Sequence, residues 1–464
     1  MPPATPPEVA PSTVLPTMNA DGSRRWVRPK LSRGPYWRRR FAVAWALIVL
    51  FAVIPHLRMN GKPAILLDVV HRRFTLFGTT FLPTETLLLM LLLVGTFLLV
   101  FLLTAIYGRV WCGWACPQTV YMEFLYRPVE TLLEGNRARQ LKLDREGPDV
   151  RRFLKYGVFV LFSMFLAHTF LAYFVGTEAL ARWITRSPFE HPAAFLIMAG
   201  TTAAMLLDFG VLREQVCLVA CPYGRFQSVL LDRRSLIVGY DAARGEPRSR
   251  LGTRPDRTAG PDCIDCRACV ETCPTGIDIR DGLQMECIHC TQCMDACDTV
   301  MAKIGRPQGL VRYTSRDELA GAKPRRLRAR LLIYPALLVV AWGALGVALA
   351  RRESAEVTLL RGIGVPFTIL PDGQVSNQMR IKIANRGDTD RSYRLELVDA
   401  AGLTLVAPDN PLHVPADKLV ETTAFVVGDD DAIPGGMRNV VLRVDDGAGF
   451  TAEKPWRVLG PEED

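Results

Sequence analysis

The stretch from Cys263 to Cys297 reads "CIDCRACVETCPTGIDIRDGLQMECIHCTQCMDAC". It contains two runs of the form C-x-x-C-x-x-C-x-x-x-C. The first is Cys263, Cys266, Cys269 and Cys273, followed by Pro274; the second is Cys287, Cys290, Cys293 and Cys297, followed by Asp298. A 4Fe–4S cube needs a thiolate at each of its four corners. A tight loop supplies three, and a distant segment brings the fourth. In doubled runs of this spacing the fourth cysteine of each run ligates the other cluster. By that rule one cluster takes Cys263, Cys266, Cys269 and Cys297, and the other takes Cys287, Cys290, Cys293 and Cys273. Zinc also takes four ligands per site, but it gives no reason for the doubled spacing. His289 falls between two ligands of the second run, where a hydrogen bond to sulfur would tune a potential. The expectation for it is an exposed loop position.

Around this bacterial two-cluster ferredoxin pattern lies a chain of 464 residues, 49% hydrophobic and 22% charged, with a positive mean hydropathy. That mixture implies membrane spans joined to soluble parts. The net charge of +9 would suit a nucleic-acid partner. The arginines instead cluster beside apolar runs, as loops retained on one side of a bilayer require, so no nucleic acid is expected. All 12 cysteines lie between Cys112 and Cys297. In a large chain with ligand-like spacings they read as reduced thiols, not as a disulfide framework.

Five stretches are long and apolar enough to span a bilayer, which takes roughly 20 residues each: residues 41–57, 83–107, 153–175, 192–209 and 331–350. Lys and Arg crowd the segment before the first span, the segment between the second and third, and "KPRRLRAR" before the fifth. With the N-terminus inside, five crossings place the C-terminus outside. The expected domains follow. Residues 1–40 form a disordered tail, proline-rich and then basic, on the cytoplasmic side. Residues 41–209 form a four-helix transmembrane region. Residues 210–330 form a cytoplasmic segment holding the ferredoxin domain at about 255–305, and 331–350 form the fifth helix. Residues 355–464 form a periplasmic domain. There, alternating segments such as "QMRIKIAN" and "NVVLRVD" predict short strands and a β-sandwich, which serves docking or stability. The fold class is thus a polytopic α-helical membrane protein with an inserted two-cluster ferredoxin-like α+β domain and a C-terminal all-β immunoglobulin-like sandwich.

The remaining cysteines form a repeat. "CGWACPQTVY" follows the second span and "CLVACPYGRFQ" follows the fourth, each of the form C-x-x-x-C-P where a helix meets the cytoplasmic face. Two-span units ending in this motif suggest an internal duplication. If the motifs converge, Cys112, Cys116, Cys217 and Cys221 make a soft-sulfur site suited to monovalent copper, zinc or a further iron–sulfur cluster. Small apolar filling is the plainer role for such cysteines. His56 and His168, near the outer ends of the first and third spans, are candidate haem or copper ligands, with bonding to neighbouring backbone as the alternative. No phosphate-binding loop or serine–histidine constellation stands out, so the expected chemistry is electron transfer and metal handling.

The two C-x-x-x-C-P motifs, the doubled cysteine run, five spans and an external β-domain together resemble the cytochrome c oxidase accessory proteins called CcoG, RdxA or FixG. The resemblance covers nearly the whole chain after the proline-rich tail. The membrane ferredoxins NapH and NosR are similar in this core but lack the overall arrangement. The resemblance implies an oxidoreductase with two 4Fe–4S clusters in a bacterial inner membrane. It would reduce Cu(II) to Cu(I) for cbb(3)-type cytochrome c oxidase, with copper as a candidate further occupant of the four membrane-edge thiols. Implied partners are lipid, copper ions, oxidase assembly factors or subunits and an electron donor of unknown identity, with a dimer as one candidate oligomer. The alternatives are a quinol-linked electron conduit to a periplasmic acceptor and an assembly scaffold with structural clusters.

Overall fold

The computed structural model describes residues 16–19, 21–82, 85–147, 149–248, 260–323 and 329–461. The proline-rich residues 1–15, expected to be disordered, lie outside them. Five helices are long and apolar enough to cross a membrane: Pro35–His56, Thr86–Tyr107, Val150–Val175, Pro192–Leu212 and Arg330–Ala350. Each matches an expected span, with boundaries moved by a few residues at most ends. The chain divides into two compact units, residues 1–57 with 93–341 and residues 58–92 with 342–464.

In the first unit, helix Val150–Val175 packs along Pro192–Leu207. Tyr126 lies at the centre of a cluster with Phe159, Leu166 and Phe209. Its ring stacks on Phe209 at 4.5 Å, and its hydroxyl bonds Ser163 Oγ at 2.9 Å. The cysteine-rich segment folds around two short helices, Ala268–Glu271 and Gln292–Lys303, beside an antiparallel pair, Ile237–Tyr240 with Val311–Thr314. The first long helix starts against this fold. The N–H groups of Tyr36 and Trp37 donate to Asp295 at 3.2 and 2.7 Å, so a carboxylate from helix Gln292–Lys303 satisfies the open end of a membrane helix.

Residues 17–19 and 21–34 depart from the expected disorder. Lys30 N–H donates to Glu271 O at 2.8 Å, Thr272 Oγ1 donates to Lys30 O at 2.6 Å, and Thr17, Val27 and Arg28 are buried. The segment has little intrinsic preference for a helix or strand. Its order comes from bonds to residues more than two hundred positions away, which a local reading of the sequence does not capture.

The second unit carries the sandwich. One sheet runs Leu403–Val406, Leu419–Gly428, Val375–Asn385, Ala355–Arg361, and the other runs Leu412–Val414, Arg391–Val398, Met437–Asp445, Thr451–Leu459. Strand Val375–Asn385 alternates inward and outward residues as the period of two requires. Met379, Ile381, Ile383, Val426, Leu442 and Val458 fill the space between the sheets. A three-stranded sheet, Ile65–Asp68, Arg73–Leu76 and Thr79–Phe81, belongs to the same unit. So does an ion cluster in which buried Glu85 holds Arg352 at 2.6 Å and Arg386 at 3.2 Å.

Candidate functional site: a cysteine-lined cavity beside two thiol pairs

The two cysteine runs share one backbone device. In each, the residues flanking the second cysteine adopt left-handed conformations: Asp265 (φ 51°) and Arg267 (φ 57°) in the first, His289 (φ 53°) and Thr291 (φ 62°) in the second. Left-handed steps are costly for residues other than glycine. Here they turn the chain sharply on either side of the second cysteine of each run. Cys273, Cys287, Cys290 and Cys293 line one cavity, with Cys269 also on its wall. Cys297 lies in the electrostatic neighbourhood of Cys263, Cys266 and Cys269. Cys273 beside the second run and Cys297 near the first is the arrangement that an exchange of fourth cysteines would use. Cys266 is exposed, whereas Cys263, Cys269, Cys287, Cys290 and Cys297 are buried, and none of the twelve cysteines is in a disulfide.

His289 is fully buried, which corrects the expected exposed loop position. Its Nδ1 accepts from Arg109 N–H at 3.2 Å, and the Arg109 guanidinium reaches Met285 O and Gly224 O at 2.8 Å. Burial first, and then the Arg109 charge, push the imidazole pKa down to about 3, so the ring is neutral. Its Nε2 has no hydrogen-bond partner, and the residue lines the cavity with the four thiols. An orphaned buried donor beside converging thiols fits a resident group rich in acceptor sulfur, as a 4Fe–4S cube is.

The C-x-x-x-C-P motifs have matching local structures. Cys112 sits in a short helix, Val110–Trp114, and Cys217 in a wide turn, Val216–Ala220. The second cysteine of each pair is extended, Cys116 at φ −62°, ψ 127° and Cys221 at φ −75°, ψ 108°, and caps a helix with proline at its first position. Proline forces its predecessor out of helical conformation and suits a helix start, so C-P writes this break into the sequence. The amides of Cys116 and Cys221 close on the carbonyls of Trp111 and Val216, five residues back, at 2.8 and 2.7 Å.

The motifs do meet. Arg109 joins the segments that follow the second and fourth spans, and Cys112 Sγ donates to Gln227 Oε1 at 3.0 Å. Gln227 in turn donates to Tyr223 Oη at 2.7 Å and Thr104 Oγ1 at 3.3 Å. Each thiol lies in the electrostatic neighbourhood of the others. Burial pushes Cys112 up to about 11, against the pull of Arg109. It also raises Cys116, where the N–H groups of Gln118 and Thr119 work the other way. Burial raises Cys217 further, with the neighbouring thiols adding to it. Burial thus favours the protonated form of Cys112, Cys116 and Cys217, and any metal they bind must displace protons.

The thiol segment touches the cysteine-lined cavity through Gly113. A Cβ there would stand 2.5 Å from Ile288 O and 2.9 Å from both Cα and N of Cys290. Arg40 Nε donates to Gly113 O at 2.9 Å; this arginine is buried at 1% exposure. The sequence reading took Arg40 and Arg109 as topology-setting charges and assigned Gly113 and Gln227 no role. In the runs "WRRR" and "YGRVWCG" nothing distinguishes a buried arginine from one facing headgroups.

Among the described residues, no three His, Cys, Asp or Glu side chains are placed to hold a single metal ion. An iron–sulfur cube keeps its thiolates apart by its own bulk, so the spread of the cluster cysteines is compatible with one. His56 is exposed, and His168 Nδ1 contacts Met164 O at 2.8 Å, which is the backbone alternative.

Comparison with known proteins follows the same division. Residues 212–316 match a 4Fe–4S dicluster domain. Residues 86–139 match a 4Fe–4S binding domain, and residues 345–461 match the Ig-like fold at the C-terminal of FixG. Protein RdxA of Cereibacter sphaeroides is 35% identical over 88% of this chain and 92% of its own. Protein RdxB of the same organism is 34% identical over 89% and 90%. Nitrogen fixation protein FixG of Rhizobium meliloti is 33% identical over 82% and 81%. A crystal structure of a FixG-related protein from Vibrio parahaemolyticus aligns with TM-score 0.22 and 15% identity over 24% of this chain and 98% of that one.

Proposed function

Because the chain belongs to the FixG/RdxA family of membrane-type 4Fe–4S electron-transfer proteins, we propose that it is a cupric reductase whose product, Cu(I), serves assembly of a cbb(3)-type cytochrome c oxidase. The cluster sets are Cys263, Cys266, Cys269, Cys297 and Cys287, Cys290, Cys293, Cys273. When bound, such clusters supply single electrons at low potential. Copper is the substrate: each Cu(II) takes up one electron and becomes Cu(I), and a cellular electron donor restores the reduced state.

The protein's own residues do the rest. Cys112, Cys116, Cys217 and Cys221 offer soft sulfur, which favours monovalent over divalent copper. Burial favours the protonated thiol at Cys112, Cys116 and Cys217 until metal arrives. Gln227 fixes the Cys112 thiol, and Arg109 ties the two motifs together. The observation that carries the reading is the contact of Gly113 with the Cys290 backbone, which brings a thiol pair against a cluster ligand with no side chain between. The arginine-rich segments beside the spans support a cytoplasmic cysteine-rich domain and a periplasmic β-domain in a bacterial inner membrane.

A second reading is favoured by the 4Fe–4S domain match at residues 86–139, where Cys112 and Cys116 are the only cysteines. In it the four thiols hold a further iron–sulfur cluster. The test of both is copper reduction by the full-length, detergent-solubilised protein after dithionite treatment, with Cu(I) read by a chromogenic chelator. Replacing the four motif cysteines by serine is expected to lower Cu(I) formation by at least about tenfold while iron content holds. Unchanged reduction at unchanged iron content would overturn the thiol site. Loss of one cube's iron and sulfide from the variant would favour the second reading.

A further inference from the structure

The two cysteine runs are alike in spacing and backbone, yet the residue before the second cysteine differs. In the first run it is Asp265, a carboxylate paired with Arg280 at 2.6 Å. In the second it is His289. An imidazole whose Nδ1 accepts from a backbone N–H carries its proton on Nε2. That Nε2–H is buried without a partner, and the residue lines the cavity shared by Cys273, Cys287, Cys290 and Cys293.

Arg40 adds a second donor set. Its Nε is spent on Gly113 O, while both Nη1 and Nη2 are buried without hydrogen-bond partners. The chain around the Arg40 guanidinium offers the Phe124 ring at 5.3 Å, and its charge acts on the Cys290 sulfur. A buried guanidinium with two unused amino groups is costly unless an anion compensates it. The Asp295 carboxylate feels its charge without bonding either amino group, and a cube held by four thiolates is an anion that would supply acceptors.

We propose that His289 and Arg40 are tuning residues for the cluster held by Cys273, Cys287, Cys290 and Cys293, and that they set its potential above that of the neighbouring cluster. Hydrogen bonds to cluster sulfur and a nearby positive charge both stabilise the reduced, more negative state, and so raise the potential. At the equivalent position of the first cluster stands Asp265, an acceptor where the imidazole donates, with its charge balanced by Arg280, which also acts on Cys269. The higher potential thus falls on the cluster whose ligand Cys290 touches Gly113 of the thiol segment. The inference rests on the functional reading above only in requiring that both clusters form.

The test is a redox titration of the full-length protein followed by low-temperature EPR, with iron and sulfide measured on each sample. His289→Leu and Arg40→Met should each lower the midpoint of one cluster by about tenfold in its reduction equilibrium, or ~59 mV for one electron, and leave the other in place. Arg40→Lys, which keeps the charge, should restore most of the Arg40→Met shift. Midpoints unmoved at full iron content, or both clusters shifting equally, would overturn the proposal. So would cluster loss in both His289→Leu and Arg40→Lys, since the residues would then be structural. A wild-type chain without iron–sulfur would remove the underlying reading itself.

Discussion

At Gly113 a methyl group has nowhere to go. Its nearest neighbours would be the backbone of Ile288 and Cys290, which cannot swing aside as a flexible side chain does. Gly113→Ala should cost about 1–3 kcal/mol through overpacking and push the cysteine loop away from the thiol segment. The expected result is a lower melting temperature in detergent and a lower iron content on purification. Gly157→Ala is the control, because nothing lies within 4 Å of a Cβ there and alanine favours a helix interior. Wild-type melting and iron content in Gly113→Ala would mean a looser contact than the one described. The two cysteine runs of the 4Fe–4S domain were legible because spacing is a local property. The burial of His289 was not, because it depends on Arg109, 180 positions away in the chain.

At the scale of elements, the C-x-x-x-C-P repeat was legible down to its backbone, since proline acts on its immediate neighbours. The charged network beneath it was not. Lys155 lies inside the third long helix, and Arg28 lies in the segment expected to be a disordered tail. Yet Glu130 accepts from Arg213 Nη1 and Nη2 at 2.7 and 2.9 Å, with Arg28 at 3.4 Å and Lys155 at 3.6 Å. Burial raises the Glu130 carboxyl, but the Arg213 charge and hydrogen bonds, helped by Arg28 and Lys155, outweigh it and hold the pKa at about 2, below the ordinary 4.5. With the folded pKa depressed, the stabilisation is complete above pH 4.5 and is lost as the pH falls towards 2. It amounts to roughly 3 kcal/mol. Thermal melts across that window should show the loss in wild type and a flatter profile in Glu130→Gln. At neutral pH Glu130→Ala, which strands a buried Arg213, should cost about 3–5 kcal/mol. Glu190→Ala, at the exposed i,i+4 pair with Arg186, should cost no more than ~0.5 kcal/mol. Equal effects of the two would refute the network's role.

For the whole molecule, the expected topology gives a labelling pattern. The β-domain has no native cysteine, and Ile363 is 87% exposed, so Ile363→Cys should react with a membrane-impermeant maleimide on intact spheroplasts. Lys303→Cys, on the exposed end of helix Gln292–Lys303, should react only after permeabilisation. The reverse pattern would invert the orientation. Five spans, two cluster runs, a thiol repeat and a terminal sandwich were determined by the sequence itself. Each rests on a periodicity, a spacing or a proline that acts within a few residues, or on apolar length set against bilayer thickness. The tertiary structure alone decided that residues 17–19 and 21–34 are ordered and that His289 and Arg40 are buried with unused donors. It alone decided that Gly113 brings the thiol segment onto Cys290. Those facts depend on segments far apart in the chain meeting in space, and the desolvation that gives an arginine or histidine its role exists only once they have met.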